Sequence, residues 1–94
     1  MAKPAASNTG DWSVATNTTG NWSAASVEGR HSVALASGYE GRVMATQAGS
    51  VIAAVERDSR DYATILSAAI GITGRDGIEP GKWYRCAGGK LVEA

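Results

Sequence analysis

Gly10-Asp11-Trp12-Ser13-Val14-Ala15, Gly20-Asn21-Trp22-Ser23-Ala24-Ala25 and Gly29-Arg30-His31-Ser32-Val33-Ala34 are successive copies of one template, G-x-x-S-x-A. Glycine, serine and alanine each recur after ten residues and then after nine. Gly38-Tyr39-Glu40-Gly41-Arg42-Val43 keeps the spacing with Gly for Ser and Val for Ala, and Ser50-Val51-Ile52 extends it once more. Residues 10–52 therefore share a single register, and a fixed short period is the signature of a repeat architecture.

Inside each copy the period is two. Ser13 and Ala15, Ser23 and Ala25, Ser32 and Ala34, Gly41 and Val43, Ser50 and Ile52 fall on one strand face, because alternate side chains of a strand point the same way. Every member is small or β-branched, which suits two layers that approach closely. Glycine at the start of a copy suits a corner that needs positive φ. Short strands joined by corners every nine residues give one wall per copy and one coil per two copies, the geometry of a parallel β-roll or β-helix. Richness in Gly, Ser, Thr and Asn is also the composition of a flexible linker, but a linker has no reason to keep the serine–alanine register. The expected fold is all-β: a short parallel β-roll over residues 10–55, preceded by a flexible arm at 1–9 and followed by a small antiparallel capping meander at 56–94.

Residues 56–94 differ in kind, holding six of the nine basic and six of the nine acidic residues. Glu56-Arg57-Asp58-Ser59-Arg60-Asp61 reads as a polar connector. Tyr62 to Ile72 is the most apolar segment; Thr64, Leu66, Ala68, Ile70 and Ile72 alternate as in a strand, while Tyr62, Leu66, Ala69 and Ile70 also fit a helical stripe. Gly71 and Thr73 are poor helix residues and favour the strand. Asp76-Gly77 and Pro80-Gly81 mark turns. Trp83 to Cys86 and Lys90 to Glu93 read as strands around an Ala87-Gly88-Gly89 turn. Tyr62, Leu66, Ile70, Ile72, Trp83, Tyr84 and Leu91 supply bulk that the repeats lack, and burying one such aliphatic is worth roughly 1.5–3 kcal/mol. They are expected to cap the last coil. The amino-terminal end has no comparable cap, so a homo-oligomer, dimer or trimer, is expected to supply one.

Gly10 to Val43 resembles the G-x-x-S-x-A arrays of uncharacterised small phage and bacterial proteins, in which the array is followed by a segment like Gly77-Ile78-Glu79-Pro80-Gly81-Lys82-Trp83-Tyr84 and a Gly-Lys-Leu-Val ending. It is similar, more weakly, to the S-x-A repeats in the heads of trimeric autotransporter adhesins, without their signal peptide, stalk or anchor. The resemblance implies a phage or prophage accessory protein, a class that includes inhibitors of host defence such as anti-CRISPR proteins. It transfers no catalytic residue.

The chain has 94 residues, nine Lys+Arg against nine Asp+Glu, one His and one Cys. Zero net charge argues against an electrostatic nucleic-acid binder and against an acidic DNA mimic. One cysteine excludes an intrachain disulfide or a thiolate zinc cluster, and one His with one Cys is a poor ligand supply, so no metal and no cofactor are expected. No apolar run nears the roughly 20 residues that span a bilayer, and MAKPAASNTG lacks the apolar stretch of a signal peptide; a cytoplasmic location in a host cell is expected.

Catalytic constellations are missing. His31 and Ser32 are strand neighbours whose side chains diverge. Cys86 beside Arg85 reads as an inert thiol. Gly77 to Lys82 has the wrong spacing for a phosphate loop, and Trp83 stands where a hydroxyl is needed. The expectation is a non-enzymatic protein that binds a macromolecular partner, a host protein or complex, through Trp12, Trp22, Arg30, His31, Tyr39 and Arg42. These residues recur near one outward position of successive copies, and exposed Trp, Tyr and Arg are the side chains that anchor interfaces. A structural oligomer of a virion or tail, and a small-molecule (nucleotide) sponge with pockets between protomers, are the alternative readings.

Overall fold

The computed structural model describes residues 5–8, 10–12, 14–17 and 24–94. The chain is all-β. β1 (Ala5–Asn8), β2 (Val14–Asn17), β3 (Ala24–Val27), β4 (Val33–Ala36) and β5 (Arg42–Ala45) are four-residue strands. β6 (Val51–Asp58) and β7 (Asp61–Ile72) are long, and β8 (Tyr84–Ala87) and β9 (Lys90–Glu93) are short again. They form two mixed sheets, neither closed, ordered β1-β3-β5-β8-β9 and β2-β4-β6-β7. No described residue is helical, so no helix is long and apolar enough to cross a membrane.

The first six strands alternate between the sheets, and their pairing is parallel. Ala24 pairs with Ala5 and Val33 with Val14, nineteen residues back; Arg42 pairs with Ala24 and Val51 with Val33, eighteen back. Each template copy thus supplies one strand, and equivalent positions two copies apart lie side by side. Ala5–Asn8, expected as an arm, pairs as β1.

The small-residue face is the interior. Ala15, Ala25, Ala34, Val43 and Ile52 are buried, as are Ser32 and Ser50, and Gly41 with them; Ser13 and Ser23 lie outside the described residues. Val27, Ala36, Ala45 and Ala54, one strand period further on, complete the core. An alanine-lined core lets the sheets sit close, and the shortest dimension of the molecule is 17 Å.

The buried hydroxyls satisfy the corner that leads into the second sheet. Ser50 Oγ accepts from Ser32 N (3.1 Å), and Thr73 Oγ1 accepts from Ser50 N (3.1 Å) and donates to Gln47 O (2.7 Å). A corner backbone shielded from water must find such partners or lose roughly 1–3 kcal/mol per group. Thr73 continues the Ser32–Ser50 column although it arrives on an antiparallel strand.

Four expectations are corrected. The initial glycines Gly29 and Gly38 do not carry the positive φ. Among the described residues of the repeats the left-handed ones are Trp12 (φ 59°), His31 (54°), Glu40 (56°) and Gly49 (88°), each just before the Ser or Gly position of its copy. Gly29 is glycine because space is absent: a Cβ there would lie 2.0 Å from Gly10 O. The polar connector at 56–61 is mostly strand, with the turn at Ser59-Arg60, so the boundary expected at 55/56 falls inside β6. The C-terminal part is not one meander but two hairpin arms. β7 pairs antiparallel with β6, while β8 pairs with β5 and then β9, one arm per sheet.

The last correction concerns bulk. Tyr84 is buried, but Leu66 is 57% and Ile70 72% exposed. The cause is register. Ile52 and Ala54 face inward, so their β7 partners Gly71 and Ala69 must too, which turns Ile70, opposite Ala53, to the outside. The space inside Gly71 is taken by the end of the Ile78 side chain, which would have to turn aside for a Cβ there.

Candidate functional site

Corners between the sheets are of two kinds. Residues 28–32 lead from β3 to β4 as residues 37–41 lead from β4 to β5, at opposite ends of the strands. Because parallel neighbours are two copies apart, columns of equivalent residues form within each kind. Trp12 and His31 occupy one column, and their rings lie 5.2 Å apart at 39°. Asp11 and Arg30 occupy the column beside it. Arg30 N donates to Asp11 Oδ1 (2.8 Å), and Arg30 Nη2 sits 3.1 Å from Asp11 Oδ2. Those bonds, the backbone one first, hold the Asp11 carboxyl below its ordinary range. Trp12 N donates to Arg30 O (2.9 Å), fixing the two corners to each other.

The result is a ledge of two stacked rings flanked by an ion pair. Trp12 is 80% exposed, and His31 stands above Gly49, where no side chain crowds it. Left-handed φ is uncommon for residues other than glycine and costs roughly 1–2 kcal/mol. Gly49, two copies further, shows the relaxed solution at the same position. Trp12 and His31 carry large rings in strained backbone without burying them.

The other expected residues do not join this ledge. Tyr39 belongs to the opposite corner, one position before the left-handed Glu40. Arg42 lies on β5 with its guanidinium 5.8 Å from the Trp83 ring centroid. Trp22 lies outside the described residues. Trp12, Arg30 and His31 are thus brought together, and Tyr39 and Arg42 are not. Sequence reasoning missed Asp11, whose signal was present: it shares the Arg30 column, two copies away, with opposite charge.

A second cluster joins the two arms. Glu56 Oε1 accepts from Gly88 N (3.0 Å) and Ser67 Oγ (2.9 Å), and Ser67 Oγ accepts from Gly89 N (3.1 Å). Cys86 Sγ lies 3.5 Å from Ser67 Oγ and is buried. These groups could be mistaken for a nucleophile set, but Glu56 and Ser67 are spent on the β8–β9 turn, whose glycines take positive φ (61° and 81°). The cluster staples one sheet to the other. It borders a cleft of about 480 Å³ that also includes Tyr39, Arg57 and Arg85, with acidic and basic side chains in equal number. Lys82 of the Gly77–Lys82 segment is paired with Glu79 (2.7 Å) and Glu93 (3.4 Å). Among the described residues no group of three His, Cys, Asp or Glu side chains could hold a metal ion.

The Glu56 staple gives a pH prediction. Its hydrogen bond from Gly88, then that from Ser67, then the Arg85 charge pull the carboxyl below its usual 4.5. A carboxyl with a depressed folded pKa adds stability above its unfolded pKa and loses it as pH falls through the folded value. Thermal melts of the parent and of Glu56→Gln at pH 7 and at pH 3 are expected to differ more at pH 7, the gap closing in acid. A gap independent of pH would show that the charge contributes nothing.

No protein-family model, no curated protein and no solved structure matches the chain.

Proposed function

We propose that this chain is a short β-solenoid that acts by binding, not by catalysis, and that the Trp12–His31 ledge is its contact with a protein partner. The solenoid reading is supported by strands that alternate between two sheets with parallel neighbours 18 or 19 residues apart. The observation that carries the binding reading is strain without burial. Two corners of one column, two copies apart, hold aromatic rings at positive φ, where glycine is the cheapest residue, and Trp12 remains 80% exposed. Strained backbone is held by the structure around it and clusters at binding and switch sites. A rigid exposed Trp beside an Arg is also the composition of an interface hot spot. The resemblance to small phage proteins makes a host protein, as the target of a phage or prophage inhibitor, the partner class to test first.

Glycine substitution separates the two roles. Trp12→Gly and His31→Gly remove rings while relaxing the backbone, so stability is expected to stay within about 1 kcal/mol of the parent. Capture of a bacterial host protein by the immobilised parent should be lost with the double variant. Undiminished capture by a folded double variant removes the ledge as the contact.

A further inference from the structure

β7 is an edge strand unlike the other three edges. It closes the order β2-β4-β6-β7 and is twelve residues long, whereas β1, β2 and β9 have four each. No charged residue and no proline occurs from Tyr62 to Gly74, while β9 carries Lys90 and Glu93. Soluble proteins blunt free edges with charge, proline, bulges or brevity, because an open row of N–H and C=O groups templates pairing with another strand. β7 confines such devices to its first half, which carries Asp61 and two register shifts opposite Glu56, Arg57 and Asp58. Beyond it Ser67 to Ile72 is regular and paired on one side only among the described residues. The outward side chains there and just before it are apolar and solvated, Ile65 at 53% and Ile70 at 72% exposed.

We propose that this edge is occupied by the β7 of a second copy of the chain, running antiparallel about a two-fold axis near Ala69. Three points select a copy. The edge is neutral and the chain has zero net charge, so two copies meet without repulsion. An antiparallel two-fold pair is self-complementary and closes at two, using both edges. The alternation also matches, because paired residues in an antiparallel ladder share a face. A two-fold at Ala69 opposes Ala68 of one copy to Ile70 of the other on the outer face, and Ser67 to Gly71 on the inner face. Two four-stranded sheets then become one of eight. The axis pairs Leu66 to Ile72, seven residues or about 23 Å of strand, and a sheet is about 10 Å deep, so the paired edge offers roughly 230 Å² per copy in projection. That is below the usual size of stable interfaces, so the dimer is weak and concentration-dependent.

Sedimentation equilibrium of the full chain from low- to high-micromolar concentration tests this. The parent should rise from 9.6 kDa towards twice that mass and stop. Ile70→Lys, at a solvated position, should keep the parental circular dichroism and melting behaviour yet stay monomeric throughout. Val14→Lys makes the same change at another exposed position (58%) on the opposite edge strand of the same sheet and should still dimerise. Trp12→Gly should dimerise too, which keeps this edge distinct from the ledge. A parent that remains monomeric, an Ile70→Lys variant that dimerises like the parent, or assembly that continues beyond two copies would each overturn the proposal.

Discussion

Gly29→Ala is expected to lose at least about 3 kcal/mol of folding stability, a large share of the roughly 5–15 kcal/mol that holds a domain together. The added Cβ would sit 2.0 Å from Gly10 O, 2.3 Å from Gly10 C and 2.6 Å from Asp11 N. All three are main-chain atoms, so no side chain can rotate away. The approach is fixed on both flanks by the Trp12 N–Arg30 O bond (2.9 Å) and by the Asp11–Arg30 contacts. Relief requires the Gly10–Trp12 corner to move off the Gly29–His31 corner, which breaks those bonds and parts the Trp12–His31 rings. Chemical denaturation followed by tryptophan emission and circular dichroism measures both consequences. Gly77→Ala is the control. Nothing lies within 4 Å of its Cβ, and only its φ of +81° penalises a side chain, so its cost should stay near 1–2 kcal/mol. Equal losses at the two sites would mean that steric closeness at Gly29 is not what the glycine serves.

Ile52→Ala is expected to cost about 3–5 kcal/mol, the upper part of the range for buried aliphatics. Among the described residues Ile52 is the largest fully buried side chain, in a core otherwise mostly of Ala and Val with Tyr84 and Cys86. Its sheet neighbours Ala34 and Gly71 lie on hydrogen-bonded strands and have little side chain with which to fill a void. A cavity that cannot collapse retains its full penalty. Ile70→Ala removes the same atoms from a side chain that is 72% exposed and should change stability by about 0.5 kcal/mol. Paired urea titrations give both numbers. If the two substitutions cost alike, the inward and outward faces of β6 and β7 have been assigned the wrong way round.

What can be read from the chain alone is whatever depends on period. The two-residue alternation within each copy and the spacing of nine or ten between copies determined which side chains face inward, from Ala15 to Ile52, because strand geometry leaves one face per parity. The same spacing holds the Asp11–Arg30 and Trp12–His31 columns, once two copies are counted as one coil. It could not reveal that φ turns positive at Trp12 and His31, since a glycine needed for space and a glycine needed for conformation look identical in a sequence. Nor could it place Leu66 and Ile70, because hydrophobicity argues for burial of any aliphatic. Only the pairing of β7 with β6, which puts Gly71 and Ala69 inward against Ile78 and Leu91, left those two outside. Local pattern thus decided the walls. The separation of the Trp12 ledge from Tyr39 and Arg42, and the exposure of β7, were decided by long-range contacts, which act between residues too far apart in the chain for any short period to record them.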